Sequence, residues 1–315
     1  MTTRHLLSIA DLTSDEVGCL LERATQLKQS PAQPLLAGRT LALVFEKPSL
    51  RTRVSLDVAM AQLGGHSVYL PPAEVGLGQR EEVCDIARVL SGYVDAIAAR
   101  TFAHRTVELL AEYASVPVIN ALSDWEHPCQ ALADLLTIAE RMGRLRGIRL
   151  AYIGDGNNVA RSLLLAACLT GIKFSIASPE GYLPEKDFID RAEEIACCSG
   201  STILCTDDPQ EAVANADVVY TDVWTSMGQE AEREERRRLF SGFQVNGELL
   251  ALAKPGVIVM HPLPAHRGEE ITAEVMESPQ SAVFQQAANR LHTQKALLAA
   301  LMQDPQHHFC SAAQA

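Results

Sequence analysis

The chain has 315 residues, 47% of them hydrophobic and 21% charged, with a formal net charge of −12. Such a composition supplies the apolar side chains for buried cores and excludes a chain that is disordered over most of its length. At about 100–200 residues per domain it predicts two domains, and its acidity argues against a nucleic-acid-binding surface.

The opening MTTRHLLSIADL turns polar without a sustained apolar core or a small-residue cleavage site. No signal peptide is expected from it, and no apolar stretch in the chain reaches the roughly 18 residues of a membrane span. Cys19, Cys84, Cys129, Cys168, Cys197, Cys198, Cys205 and Cys310 form no Cys-x-x-Cys pair, and most sit in apolar runs. Reduced thiols in a cytoplasmic setting are expected, rather than a disulfide framework or a zinc site.

Apolar, β-branched runs predict strands at 40–45, 66–70, 94–99 and 116–119, then at 148–153, 173–177, 202–206, 217–221 and 256–260. Helical patterns lie between them at 54–63, 81–91, 106–113, 131–141, 159–169 and 185–198, and a last amphipathic segment covers 287–302. This alternation predicts an α/β fold of two doubly wound parallel-sheet domains. The glycine-bracketed break Gly143-Arg144-Leu145-Arg146-Gly147 divides them. The expected domains are 1–143, with 287–315 packing back on it, and 144–286. The charged run 230–238 is expected to form a solvated helical face.

Ligands of open α/β sheets bind beyond the carboxyl ends of the strands. Six polar clusters fall there. They are 46–53, Arg100-Thr101, His127-Pro128-Cys129-Gln130, Gly154-Asp155-Gly156-Asn157-Asn158, 222–228, and His261-Pro262-Leu263-Pro264. Ser49–Arg53 leaves a strand and opens a helix, so free N–H groups, the Ser49 and Thr52 hydroxyls and the forked Arg51 guanidinium match an anion of phosphate type. The plainer alternative is a Ser/Thr cap beside solvated arginines; Arg100 and His127 on the same edge favour the anion. His127 and Gln130, three apart at a helix start, suit a carbonyl oxygen and an amide nitrogen, and with Arg100 and Thr52 could stabilise charge growing on that oxygen. A structural histidine is the alternative. Gly154–Asn158 lacks the third glycine and the acidic partner of a dinucleotide fingerprint. Asn158 at a helix start suits a carboxylate instead. Asp222 suits an ammonium or, alternatively, caps a turn, and Ser226-Met227-Gly228 offers a hydroxyl and close backbone approach.

These clusters, in this order, resemble the aspartate/ornithine carbamoyltransferase family over nearly the whole chain. Phe45-Glu46-Lys47-Pro48-Ser49-Leu50-Arg51-Thr52-Arg53 is similar to its carbamoyl phosphate signature and His127-Pro128-Cys129-Gln130 to its second one. Asp222-Val223-Trp224-Thr225-Ser226-Met227-Gly228 is similar to the loop of the ornithine branch. The resemblance implies transfer of a carbamoyl group from carbamoyl phosphate to the side-chain amine of ornithine, by direct attack without a covalent intermediate. It implies that Ser49, Leu50, Arg51 and Thr52 hold the phosphate, and that Arg100, His127, Gln130 and Arg290 hold the carbamoyl group. Asn158, Asp222, Ser226 and Met227 would hold ornithine, and His261, Pro262 and Leu263 would close over both substrates. Arg51, Thr52, Arg100 and His127 would carry the catalysis. The implied fold has a C-terminal helix returning to the first domain. The implied assembly is a homotrimer or a multiple of trimers, with small-molecule substrates and with no metal, organic cofactor, nucleic acid or membrane partner.

Two positions depart from the pattern. Pro262 stands where the ornithine branch has a cysteine, leaving the Leu263 carbonyl as the acceptor for the amine. Gly76 stands where many members place a glutamine that reaches a neighbouring subunit. Alternative readings are a carbamoyltransferase for putrescine or an N-acylornithine, a non-catalytic binding homologue and a nicotinamide oxidoreductase, which the broken glycine pattern disfavours.

Overall fold

The computed structural model of the chain describes residues 3–30, 32–78, 80–225, 228 and 230–303. Two compact units divide it, one made of the residues up to Ala133 with those from Asn289 on, the other of Asp134–Ala288. Among the described residues no helix is long and apolar enough to cross a membrane.

In the first unit the strands are β1 (Thr40–Phe45), β2 (His66–Leu70), β3 (Ala96–Arg100) and β4 (Val118–Leu122). They alternate with α1 (Ser14–Gln29), α2 (Leu50–Gln62), α3 (Pro72–Val75), α4 (Val83–Ser91), α5 (His104–Tyr113) and α6 (Pro128–Met142). All pairings are parallel, in the order β2-β1-β3-β4. Strands β1 and β3 are buried nearly throughout while the edge strand β2 is largely not, which is why continuous apolar runs mark the centre of a covered parallel sheet. Helix α1 was not among the predicted segments. It starts on a reciprocal cap in which Thr13 Oγ1 accepts from the Glu16 N–H and the Glu16 carboxylate accepts from the Thr13 N–H.

The second unit holds β5 (Arg149–Ile153), β6 (Lys173–Ala177), β7 (Ile203–Thr206), β8 (Val218–Thr221) and β9 (Ile258–Met260), parallel in the order β7-β6-β5-β8-β9. Its helices are α7 (Asn158–Thr170), α8 (Lys186–Ser199), α9 (Pro209–Val213), α10 (Arg233–Leu239), α11 (Gly247–Leu250), α12 (Ala273–Met276) and α13 (Val283–Met302). Helix α7 is largely apolar and buries nine residues between Val159 and Cys168, so it lies mostly inside its unit. The division between the units falls within α6 and again within α13, whose residues from Asn289 on belong to the first unit.

Both sheets reverse their winding once. From β1 the chain moves outward to β2 and then returns to β3 on the other side; from β5 it moves out through β6 and β7 and returns to β8. Crevices of open α/β sheets form at such reversals. The strands that flank each one also end level. Phe45 pairs with Arg100, and the Glu46 N–H donates to the Arg100 carbonyl at 2.8 Å; Ile153 pairs with Thr221. The segments 46–53 and 101–102 therefore leave their sheet side by side, and so do 154–158 and 222–225.

The predicted α/β class, with two parallel sheets and a C-terminal helix in the first unit, is the architecture present. The cysteine expectation needs correction: Cys84, Cys129, Cys168, Cys197, Cys198 and Cys205 are free, but Cys19 is disulfide-bonded. Cys19 is half-buried on α1, and no Cys-x-x-Cys spacing marked it in the sequence.

Candidate functional site

At the first reversal, Ser49 caps α2, its Oγ accepting from the Thr52 N–H at 3.3 Å. The cap anticipated as the plain alternative thus exists alongside an arginine cluster. Thr52 is fully buried, and its Oγ1 accepts from Arg290 Nη2 at 2.6 Å. Arg290 Nη1 donates to Gln130 Oε1 at 3.0 Å, so α2, α6 and α13 meet at this guanidinium. Leu50, by contrast, is 78% exposed, and only its backbone lies in the helix-opening turn.

Three guanidinium groups, those of Arg51, Arg100 and Arg290, are close enough here to act on one another's charge or on His127. Arg100 is buried, and burial together with Arg290 and Arg51 pushes its pKa down to about 10, still a cation at neutral pH. His127 lies deeper. Burial first, then Arg290, Arg100 and Arg51, hold its imidazole well below the usual histidine range, so it is neutral with one N–H to donate. Among the described residues Arg100 Nε has no hydrogen-bond partner. Buried like charges such as Arg100 and Arg290 are costly unless an anion joins them, and here they act on a neutral hydrogen-bond donor, His127.

The loop carrying His127 is tied down by residues that the sequence did not single out. Glu126 is fully buried and accepts from Ser8 Oγ at 2.5 Å and from the Ile9 N–H at 3.0 Å. Asn120 Nδ2 donates to the Leu7 carbonyl at 2.9 Å and to Ser123 Oγ at 3.2 Å, and the Ser123 N–H donates to the Glu126 carbonyl at 3.0 Å. Cys129, beside His127, donates to the Asn120 carbonyl at 3.6 Å, and burial raises its thiol pKa to about 11, so it is packing rather than a nucleophile.

At the second reversal Asn157, not Asn158, caps α7. Its Oδ1 accepts from the N–H groups of Val159 and Ala160 at 2.9 and 3.1 Å, while Nδ2 donates to Asp222 Oδ2 at 2.8 Å. Asn158 is the first helical residue. Asp222 is buried, also accepts from the Val223 N–H at 2.8 Å, and has its pKa raised by burial. Gly156 is held by contact: a Cβ there would stand 2.5 Å from Pro184 N and 2.6 Å from the Tyr182 carbonyl oxygen. Beneath this loop Tyr152 and Tyr220 stack at 5.7 Å, and the Tyr220 hydroxyl donates to Asp134 Oδ2 at 3.1 Å. Ser226 and Met227 lie outside the described residues.

The charged run 230–238 is not simply a solvated face. Arg236 turns inward and is buried, with Nη1 donating to Asp155 Oδ2 at 2.8 Å and to the Trp224 carbonyl at 3.0 Å. Periodicity alone did not reveal which arginine of the run faces in, because Asp155 lies 81 residues away.

The predicted closing segment is internally braced. The Leu263 N–H donates to His261 Nδ1 at 2.9 Å, which leaves the proton on Nε2 facing Glu270 Oε1 at 3.0 Å. His261 and Glu270 are fully buried, and Pro262 is buried beside them. Leu263 has φ +58°, a left-handed conformation that leucine seldom adopts and that its neighbours must enforce. His266, Glu269 and Glu270 form a metal-like cluster, but Glu269 is already paired with Arg233 and Arg237, and Glu270 accepts from His261 and from the His266 N–H. Gly76, the other departure, ends α3 with φ +54°.

Comparison with known proteins follows the same division. Residues 4–140 match the family described as "Aspartate/ornithine carbamoyltransferase, carbamoyl-P binding domain", and 146–301 match its "Asp/Orn binding domain". A protein named ornithine carbamoyltransferase from Acidothermus cellulolyticus is 57% identical over 301 residues, covering 95% of this chain and 96% of its own. One of the same name from Bacillus subtilis is 54% identical over 299 residues, covering 95% and 94%. The solved structure of ornithine carbamoyltransferase from Pyrococcus furiosus superposes with a TM-score of 0.93 at 53% identity, covering 96% of this chain and 97% of its own. Matched in sequence across both units, and in fold across nearly all of its length, the chain belongs to the aspartate/ornithine carbamoyltransferase family.

Proposed function

We propose that this chain transfers the carbamoyl group of carbamoyl phosphate to the side-chain amine of L-ornithine, giving L-citrulline and phosphate. The observation that carries the reading is the group of buried Arg100 and Arg290 with half-buried Arg51 beside a neutral His127, which favours an anion bearing a carbonyl. Relatives more than half identical over almost the whole chain carry the name ornithine carbamoyltransferase, which favours ornithine as the amine.

Ser49, Arg51, Thr52 and the Leu50 backbone hold the phosphate in this reading, while Arg100, His127, Gln130 and Arg290 hold the carbamoyl group. Asn158, Asp222, Ser226 and Met227 hold ornithine, and His261, Pro262 and Leu263 close over the substrates. At neutral pH an alkyl amine sits about three units below its pKa and is mostly protonated. Arginine neighbours disfavour the ammonium and so favour the reactive neutral form. The amine nitrogen bonds to the carbamoyl carbon, and the carbon–oxygen bond to phosphate breaks. The electron pair leaves on phosphate, which can also take the surplus amine proton. Charge growing on the carbamoyl oxygen is met by Thr52, Arg100 and His127, so catalysis is positioning plus electrostatics. The same reading has copies of the chain assembling as trimers or multiples of trimers in the cytoplasm.

A colorimetric citrulline assay with carbamoyl phosphate and a panel of ornithine, putrescine, N-acetylornithine and aspartate tests this. Turnover fastest with ornithine is expected. Faster turnover with another amine would reassign the substrate, and carbamoyl phosphate binding without any turnover would leave a non-catalytic homologue.

A further inference from the structure

We infer that Arg236 is a positioning residue for the amino-acid substrate, holding in register the two loops that carry Asn157 and Asp222. The inference rests on the proposed function, because it concerns the ornithine half of that reaction.

The guanidinium sits between the loops and bonds to both. One hydrogen bond reaches the Asp155 carboxylate, in the loop after β5, at 2.8 Å; another reaches the Trp224 carbonyl, in the loop after β8, at 3.0 Å. Nε donates to Glu232 at 2.9 Å, and the group lies over the Tyr182 ring at 5.0 Å. Each contact continues toward Asp222. The Asp155 carbonyl accepts from the Asn157 N–H at 2.7 Å, and Asn157 Nδ2 donates to Asp222 Oδ2 at 2.8 Å. Trp224 is two residues past Asp222, and Tyr182 accepts from the Gly156 N–H at 2.7 Å. Arg236 therefore braces Asp222 from both sides without itself being hydrogen-bonded to it. A lysine could neutralise Asp155, but it lacks the second nitrogen of the planar fork, by which Nε holds Glu232 while Nη1 serves the Asp155 carboxylate and the Trp224 carbonyl. Burial of the pair makes its geometry rigid, and rigidity is what a charge-matched binding group needs.

Steady-state kinetics on Arg236→Lys, Arg236→Gln and the double variant Arg236→Gln/Asp155→Asn test the assignment. The double variant keeps no unpaired buried charge and so guards against a single variant that fails to fold. A rise in KM for ornithine of about 10- to 100-fold is expected for Arg236→Gln and the double variant, the scale of a small misplacement of a binding group. Arg236→Lys should lie between these and the wild type. KM for carbamoyl phosphate should stay within about twofold, since the Arg236 partners Asp155, Tyr182, Trp224 and Glu232 all belong to the second unit. A role in folding alone would lower kcat with the folded fraction and leave both KM values unmoved. That outcome, or wild-type KM for ornithine in the folded double variant, would overturn the inference. Absence of citrulline formation by the wild type would instead overturn the function on which it rests.

Discussion

Arg290 and Thr52, 238 residues apart in the chain, share a hydrogen bond of 2.6 Å inside the first unit. The last long helix thereby closes a site opened by the second, and Gln130 takes the other arm of the guanidinium at 3.0 Å.

Substitution of that arginine should be severe. Arg290→Met leaves the buried Thr52 hydroxyl and Gln130 amide without their partner and removes one of three cations. A fall of about 10²–10³ in kcat/KM is expected, the usual effect of losing one preorganised donor. His127→Ala should lose a similar factor in kcat, and Arg51→Ala more. Steady-state rates of citrulline formation decide all three. Wild-type turnover in Arg51→Ala would remove that residue from the site.

The buried His127 predicts how stability responds to acid. Its folded pKa is depressed, by burial and then by Arg290, Arg100 and Arg51, so the unfolded chain binds the extra proton first. Stability is complete above the unfolded value of about 6.5 and declines as pH falls below it, by up to ~1.4 kcal/mol per pH unit for this group. His5 and His104, also depressed by burial, add to the slope in the same sense. Urea unfolding between pH 5 and 7.5 should show a shallower slope for His127→Gln than for the wild type; equal slopes would contradict the neutral assignment.

Glu126→Ala should act on the same loop from outside the site. It strands the Ser8 hydroxyl and the Ile9 N–H in a fully buried place, at about 1–3 kcal/mol for each unsatisfied group. Lower thermal stability is expected together with weaker carbamoyl phosphate binding, measured by calorimetry. Unchanged stability would mean that water satisfies both groups.

Asp222→Asn should separate the two substrates. The side chain keeps its size and one acceptor but loses its charge, so KM for ornithine should rise by about 10- to 10²-fold, as for a charge-assisted contact of about 1.5–3 kcal/mol. Carbamoyl phosphate affinity should not change. Substrate titrations on both sides give the comparison.

Gly156→Ala is a steric test. The new Cβ would come within 2.6 Å of backbone atoms of Tyr182 and Pro184, contacts that no rotamer change relieves. Overpacking of this kind costs about 1–3 kcal/mol, and the displaced loop should also raise KM for ornithine. Melting temperature and kinetics on one preparation check both effects.

What the sequence disclosed, and what it hid, follows from the range of each interaction. The sheets were legible because central parallel strands such as β1 and β3 are continuous apolar runs, and because ligand chemistry collects where such runs stop. Helix α1 carried its own signals, the cap sequence Thr13-Ser14-Asp15-Glu16 and the helical spacing of Val17, Leu20, Leu21, Ala24 and Leu27. Asn158 was placed at a helix start, where it lies, while the cap one residue earlier, Asn157, is identified only by the backbone direction. Arg236 and Glu126 were hidden for a different reason. Their partners, Asp155 and Ser8, are 81 and 118 residues away, and no local period points to them.

The level strand ends at each winding reversal have an evolutionary corollary. Groups suited to phosphate leave one sheet, and groups suited to an amino acid leave the other, in two distinct compact units. Selection for a new acceptor amine can therefore rewrite 154–158 and 222–228 while 49–53 stays as it is, so donor chemistry is inherited and acceptor choice drifts.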